Sequence, residues 1–397
     1  MMKALVIEKT DGKPGQVYYP LKQVDLPKPS IQPGEVLVKI LAAALNHREV
    51  FIRQHLYPGI NFETPLGADG VGIVVETSSP DLERQWKGKK VILTPGRGWE
   101  DNEDGPEGRY VIVGGTVGVS HGTLQEYVAL PASELEEAPE HLSIPEAAAI
   151  PLAGLTAWRA TFTKGRLRAG QNILITGIGG GVALFALQFA VAAGATVFVT
   201  SGSEEKIARA KELGAADGVS YKKEDWSKQL KGLLPKNRPY LDTVIDGAGG
   251  DIVMQTYGLL KLGGVIVSYG MTTNPKVMFP MQAVLKNIEV SSSLMTLLCR
   301  ASMTTSFHPS KRKKVGPPST TPRPIPWVRL NQGISTTCWK EYDVSKNYVP
   351  KQDSRFSFGS GFLEFPPFVS RFTGSYGTSS IVGRLKPHFW SWWPDDI

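Results

Sequence analysis

Along the first 130 residues the apolar positions fall in short β-branched runs, such as Val36 to Ile40, Val71 to Glu76 and Lys90 to Leu93. Gly and Pro punctuate them, and this pattern predicts a small, mostly β domain. From Pro151 the rhythm changes to strand, glycine turn, helix and strand. The runs are Asn172 to Thr176, Val182 to Ala193, Thr196 to Thr200, Glu204 to Leu213, Thr243 to Asp246, Ile252 to Leu262, Val265 to Tyr269 and Ile288 to Ser292. Alternation of this kind predicts a doubly wound parallel sheet. The long apolar stretch Val182 to Thr200 is broken by Gln188, Gly194 and Thr196, so it reads as a buried helix followed by a buried strand and not as a membrane span. The resulting organisation is a mostly β domain over 1–150, a doubly wound α/β domain over 151–298 and a separate segment over 299–397.

Composition sharpens that last boundary. The chain has 397 residues, 41% of them apolar, enough for two well-cored domains. The net charge of +7 is concentrated at one end: from Cys299 onward there are fourteen Lys and Arg against six Asp and Glu. Both cysteines, Cys299 and Cys338, lie there too, so residues 1–298 can hold neither a disulfide nor a four-cysteine zinc site. The start, MMKALVIEKTDGK, lacks the apolar core of a secretory signal, and a cytoplasmic location is the default expectation.

The sharpest local signal is Ile173-Leu174-Ile175-Thr176 running into Gly177-Ile178-Gly179-Gly180-Gly181-Val182-Ala183. Gly177, Gly180, Gly181 and Val182 would let the backbone approach a pyrophosphate at a helix N-terminus, where free N–H groups and the positive dipole end favour anions. The pattern is not a clean GxGxxG, and by itself it also fits a glycine-rich turn that binds nothing. The end of the second strand selects between dinucleotides, because a carboxylate there would bond the ribose 2′-hydroxyl of NAD. This chain has Thr200-Ser201-Gly202-Ser203 instead, with Lys206 one turn on. Ser201, Ser203 and Lys206, with Tyr221 from the third strand, form a candidate cradle for the 2′-phosphate of NADP. Ser203 also fits an ordinary helix N-cap.

Segments GEVLVKI (34–40), LNHREVFIRQHLYPG (45–59), PLGADGVGIV (65–74), GTLQEYVALPA (122–132), EAAAIPLAGLTAWRAT (146–161), ITGIGGGVA and YLDTVIDGAGG (240–250) together resemble the medium-chain dehydrogenase/reductase superfamily. The resemblance is to its quinone and enoyl reductase kind, and it implies a chaperonin-10-like barrel followed by a Rossmann domain with the active site between them. In zinc-dependent members a Cys, a His and a third Cys or acid hold the metal. Here the cysteine position falls on Asn46 and the Gly-His-Glu segment reads Gly67-Ala68-Asp69, with no ligand between Leu152 and Thr156, so zinc chemistry is not expected. His47 and His55 lack an acidic or histidine partner in register and read as surface or satisfied histidines. The acidic stretch Gly96 to Gly105 lacks the spacing of a Ca²⁺ loop and reads as a solvated surface loop.

What the resemblance implies is hydride transfer from NADPH to a quinone, enone or enoyl thioester. Asn46 would position the nicotinamide or the substrate carbonyl, with Tyr57 as donor or general acid; a rim aromatic is the plainer reading of Tyr57. Phe51 stands where some relatives carry a second tyrosine. Thr156, Ala248 within Asp246 to Gly249, and Tyr269 and Gly270 would wall the nicotinamide pocket, and a homodimer would pair through Ile288 to Ser292. After Leu298 the family pattern is lost. Ser306 to Pro326 and the residues beyond read as a basic, Pro/Ser-rich disordered tail, and the abrupt change fits an altered reading frame or a mis-spliced end. That tail does not resemble the returning segment that completes the family's barrel. Three readings follow: a reductase, an NADPH-binding protein with little turnover because the catalytic domain lacks its C-terminal part, and a partner-binding module built on the tail. Nucleic-acid binding by Lys311 to Lys314 is the least favoured, and no membrane partner is expected.

Overall fold

The computed structural model describes residues 1–293, apart from 101 and 275, together with the backbone of 361–364. The first region contains β1 (Met2–Ile7), β2 (Leu21–Leu26), β3 (Glu35–Leu45), β4 (Asp69–Thr77), β5 (Lys90–Leu93), β6 (Gly96–Arg97), β7 (Val111–Ile112), β8 (Tyr127–Pro131) and β9 (Leu135–Glu137). Its helices are α1 (His47–Arg53), α2 (Pro80–Trp86) and α3 (Ile144–Ala148). Strand β3 is the spine, antiparallel to β4 along one edge. It bends at a register shift between Ile40 and Ala42, so that β8 pairs with its first half, Glu35 to Lys39. Such irregularities turn a strand around a curved sheet.

Helix α4 (Pro151–Trp158) leads into the second region, continued by a π-helical turn over Arg159–Lys164. Then follow β10 (Asn172–Ile175), α5 (Gly181–Ala192), β11 (Thr196–Ser201), α6 (Glu204–Glu212), β12 (Asp217–Ser220), α7 (Trp226–Leu233), β13 (Leu241–Asp246), α8 (Ile252–Thr256), β14 (Leu260–Ser268), α9 (Met281–Leu285) and β15 (Glu289–Ser292). Every pair in this sheet is parallel, in the order β12-β11-β10-β13-β14-β15. The strand order reverses between β10 and β13, the switch point where open α/β sheets bind ligands. The inner strands β10 and β13 are buried on both faces, as a doubly covered sheet requires: all four residues of β10 and all six of β13 are buried.

Two expectations are corrected here. The helix read over Ile252 to Leu262 stops at Thr256, because Leu260 is already paired with Leu241 across a register shift in β13 and β14. The chain also returns to the first region: β16 (Gly361–Glu364) lies antiparallel to Ala42–Leu45 on the β3 edge that β8 leaves open. The sequence carried no sign of this, since a four-residue run is too short to show a period. The remaining readings of the tail, disorder and the Lys311 to Lys314 run included, lie outside the described residues.

One hydrophobic core joins the two regions. Ala42, Ala44, Val71 and Ile92 of the β-rich part pack in the same cluster as Leu155, Trp158, Ile173 and Phe189. Trp158 meets Phe162 and Phe189 edge-on, with centroids 4.7 and 5.4 Å apart. The elements flanking the switch point are therefore held on both sides by close packing.

Candidate functional site

At the carboxyl end of β10 the chain makes the glycine turn that the sequence singles out. Gly177 takes φ +63° and Gly179 φ +116°, conformations that suit glycine, and α5 begins at Gly181 with Gly180 as its cap. The Gly177 N–H donates to Thr200 Oγ1 (3.2 Å) and the Ile178 N–H to the Thr200 carbonyl (2.8 Å), which ties the turn to β11. The glycine turn fits a pyrophosphate: a Cβ on Gly177 would have open space around it, whereas one on Gly179 would lie 2.8 Å from the Lys206 side chain.

That last contact places Lys206 beside the turn. Ser203 caps α6, accepting from the Lys206 N–H at 3.4 Å. Ser201 is buried and uses its hydroxyl inside the turn, as acceptor from the Ser203 N–H (3.2 Å) and as a long donor to the Ile178 carbonyl (3.5 Å). The expected cradle therefore loses Ser201 as an outward-facing group. Tyr221 is half-exposed, and its hydroxyl approaches Gly202 closely enough that a Cβ there would be 2.7 Å away.

Across the switch point, Asp246 organises the pocket wall. Its carboxylate accepts from Thr176 Oγ1 (2.6 Å) and from the Ala248 and Gly249 N–H groups at 3.2 and 2.8 Å. The Asp246 carbonyl accepts from the Tyr269 N–H, and the Tyr269 ring covers Gly247 so tightly that a Cβ there would be 2.5 Å away. Gly270 follows, its carbonyl accepting from Ser268 Oγ (3.1 Å). The structure thus gathers Gly177, Gly180, Gly181, Val182, Ala248, Tyr269 and Gly270 at one end of the sheet.

Asn46 and Tyr57 do not share one helix: α1 runs only from His47 to Arg53, because His55 adopts φ +56° and turns the chain away. Asn46 is the N-cap and Tyr57 lies in the following loop. The two are linked by buried charges that the sequence reading did not single out. The Asn46 N–H donates to Glu49 Oε2 (2.7 Å), Glu49 Oε1 accepts from Arg48 (2.6 Å), and the Arg48 guanidinium lies 4.9 Å from the Tyr57 ring centroid while also donating to the Gly114 carbonyl.

Asp69 was likewise missed. Its carboxylate accepts from Asn46 Nδ2 (2.9 Å) and from the Leu152 N–H (2.8 Å) in the first turn of α4. Burial pushes its pKa up to about 7, against the pull of those two hydrogen bonds. A carboxylate inside the buried run PLGADGVGIV was the available signal, because an acid there must find partners. The positions read as the zinc-ligand set therefore hold an amide, the methyl of Ala68 and a carboxylate already bonded to that amide. This set does not fit a zinc ion. Among the described residues no group of three His, Cys, Asp or Glu is placed to hold a metal. His55 bonds Tyr19 through Nδ1, and His47 packs against Phe51 at 4.6 Å.

The stretch Gly96 to Gly105 is closed by protein groups. Glu107 accepts from the Glu100 and Asn102 N–H groups (2.9 and 2.6 Å), and Trp99 is buried, its Nε1 donating to the Asn102 carbonyl. A groove of ≈ 560 Å³ opens at the other, amino end of the parallel sheet. Its charges pair with one another, Arg166 with Glu289 and Lys261 with Asp242, so the chemistry lies elsewhere. Among the described residues no helix is long and apolar enough to cross a membrane.

Comparison with known proteins agrees with this architecture. Residues 32–140 match the alcohol dehydrogenase GroES-like domain and 181–307 the zinc-binding dehydrogenase domain. A zinc-type alcohol dehydrogenase-like protein of Leptosphaeria maculans is 49% identical over 298 residues, covering 73% of this chain and 83% of its own. An alcohol dehydrogenase of Geobacillus stearothermophilus is 31% identical, covering 75% and 86%. The solved structure of an NAD-dependent alcohol dehydrogenase superposes with a TM-score of 0.67 at 32% identity, covering 78% of this chain and 90% of that one. A quinone oxidoreductase from Pseudomonas syringae superposes at 0.61 with 26% identity, over 77% and 87%. With a GroES-like region, a Rossmann sheet in the order that binds dinucleotides and relatives of this identity, the chain belongs to the medium-chain alcohol dehydrogenase family of oxidoreductases.

Proposed function

We propose that the protein is an NADPH-dependent reductase that transfers hydride to quinones, enones or enoyl thioesters without zinc. The observation that carries this reading is the Asn46–Asp69 hydrogen bond, which fills the place of a catalytic metal with an amide held by a buried carboxylate. When bound, NADPH supplies the hydride. The protein's part is to place the acceptor and to stabilise the charge that develops on its oxygen. Asn46, fixed through Nδ2 and through its own N–H, presents its amide toward the nicotinamide and the substrate. Tyr57, held under Arg48, is the hydroxyl donor to the reduced oxygen. Thr156, buried in α4, and Ala248, Tyr269 and Gly270 form the wall that orients the ring.

The preference for NADPH rests on the end of β11, where no carboxylate stands and where Ser203, Lys206 and Tyr221 surround the adenosine side of the turn. Lys206→Glu is expected to weaken NADPH binding about 10- to 100-fold and to leave NADH within about threefold, because only the 2′-phosphate meets the reversed charge. Fluorescence titration with both nucleotides reads this out. Equal losses for the two would sink the NADPH assignment.

We also infer that two copies associate through β15. This strand is the edge of the parallel sheet, with Glu289 and Val290 exposed, and beside it Met281 (67% exposed) and Leu285 (77% exposed) of α9 leave apolar surface in water. A second copy related by a two-fold axis would continue the sheet. Light scattering is expected to give a dimer for the protein and a monomer for Val290→Lys; the same mass for both would remove this pairing.

A further inference from the structure

We propose that Tyr110 is a second hydrogen-bond donor to the substrate oxygen, acting beside Tyr57 and supplied by the loop that precedes β7. The proposal deepens the reductase reading and rests on it for the substrate class, a conjugated carbonyl or quinone oxygen that gains negative charge.

The loop is built to place this residue. Its neck is the short pairing of β6 with β7, Gly96 against Ile112 and Arg97 against Val111. Gly98 follows at φ +94°, with a Cβ excluded by the Arg109 carbonyl at 2.4 Å, so the two arms of the loop press together at that point. Trp99 and Tyr110 stand on those two arms and meet edge-on, centroids 5.6 Å apart and planes at 84°. The Arg159 guanidinium lies 4.6 Å from the Trp99 ring centroid, so the indole is fixed from the π-helical turn after α4 as well. A tyrosine held between such neighbours has little rotamer freedom left to lose.

Its hydroxyl is what needs explaining. Tyr110 Oη is shut off from solvent and has no hydrogen-bond partner among the described residues. Leaving a buried hydroxyl unbonded costs about 1–3 kcal/mol, and native proteins rarely keep one without a use. Burial above all, and then Tyr57, hold this hydroxyl in its neutral, protonated form, against the weaker pull of the Arg159 and Arg48 guanidinium groups. Tyr57 itself lies under Arg48. A neutral donor that is already desolvated, within electrostatic reach of Tyr57 and of two arginines, suits an oxygen that becomes electron-rich as hydride arrives. Phe51, edge-on to His47 on α1, offers no hydroxyl. Tyr110 restores a second donor from a different element.

The test is Tyr110→Phe, which removes one oxygen and keeps the ring. With NADPH and 2-cyclohexenone or a benzoquinone, kcat/KM is expected to fall about 10- to 100-fold while NADPH affinity is unchanged. The midpoint of thermal unfolding should stay equal or rise, since an unsatisfied group leaves the interior. A structural tyrosine would show the reverse, lower stability with kcat/KM within about twofold of the parent, and that result overturns the proposal. A second readout does not depend on turnover: binding of 4-nitrophenolate, a stable oxyanion, to the protein with NADP⁺. Weaker phenolate binding by Tyr110→Phe in a protein that reduces neither acceptor would keep the donor and discard the reductase reading. Equal binding by both proteins, or binding by neither, overturns the donor.

Discussion

Glu49→Ala is expected to destabilise the protein by about 3–5 kcal/mol, the cost of leaving a buried charge without its partner. Arg48 and Glu49 are each 5% exposed and joined at 2.6 Å, so a charge that loses its partner is left in the interior. The same carboxylate caps α1 by accepting from the Asn46 N–H, so the substitution also frees a helix terminus, a further effect of about 1 kcal/mol. Because Arg48 covers Tyr57 and Glu49 fixes Asn46, activity should fall together with stability. Urea unfolding followed by fluorescence gives the number, and a loss under 1 kcal/mol would show that the pair is not buried as described. The double replacement Arg48→Met with Glu49→Leu should recover much of the loss, since it removes both charges and keeps the volume.

Asp69→Asn should act in the opposite direction, and the more so at higher pH. Asp69 is 1% exposed and its carboxyl titrates near 7 in the folded protein, against 3.8 for a free side chain. Below pH 3.8 both states carry the proton. Between 3.8 and 7 the folded protein keeps a proton that the unfolded chain has lost, so the folded state loses stability, relative to a neutral side chain, as pH rises through this window. The full difference amounts to at most about 4 kcal/mol at about 1.4 kcal/mol per pH unit. Asn keeps an oxygen for the Leu152 N–H and stays uncharged, and a turn of the Asn46 amide restores the second bond. Asp69→Asn is therefore expected to gain up to about 2 kcal/mol at pH 5 and up to about 4 kcal/mol at pH 8. Unfolding curves for the two proteins that stay parallel across that range would contradict the assignment.

These two residues also show where sequence reading stops. The inner strands of the parallel sheet were legible, because strands buried on both faces must be written as unbroken apolar runs and the turn at Gly177 to Gly181 needs glycine. The antiparallel part was legible at β3, β4 and β5 for similar reasons. What could not be read were contacts between distant segments: Asp69 to Asn46 and Leu152, or Arg159 over Trp99. No period or motif marks them, since a hydrogen bond between residues 23 or 83 positions apart depends on how the elements fold back. Ser201 fails for a related reason: the residue type suggested a phosphate ligand, but backbone geometry turns its hydroxyl inward. The end of α1 was not legible either, because His55 adopts a left-handed conformation that non-glycine residues rarely take.

The pairing of β16 with β3 gives the molecule a timetable. Every strand of the Rossmann sheet lies between Asn172 and Ser292, so a chain emerging from the ribosome can complete that sheet as soon as Ser292 is clear. The edge at Ala42 to Leu45, immediately before Asn46, must wait for Gly361, more than three hundred residues downstream of its partner. During that interval the strand end that leads into Asn46 has unpaired N–H and C=O groups, which makes it a stretch of the chain open to wrong partners.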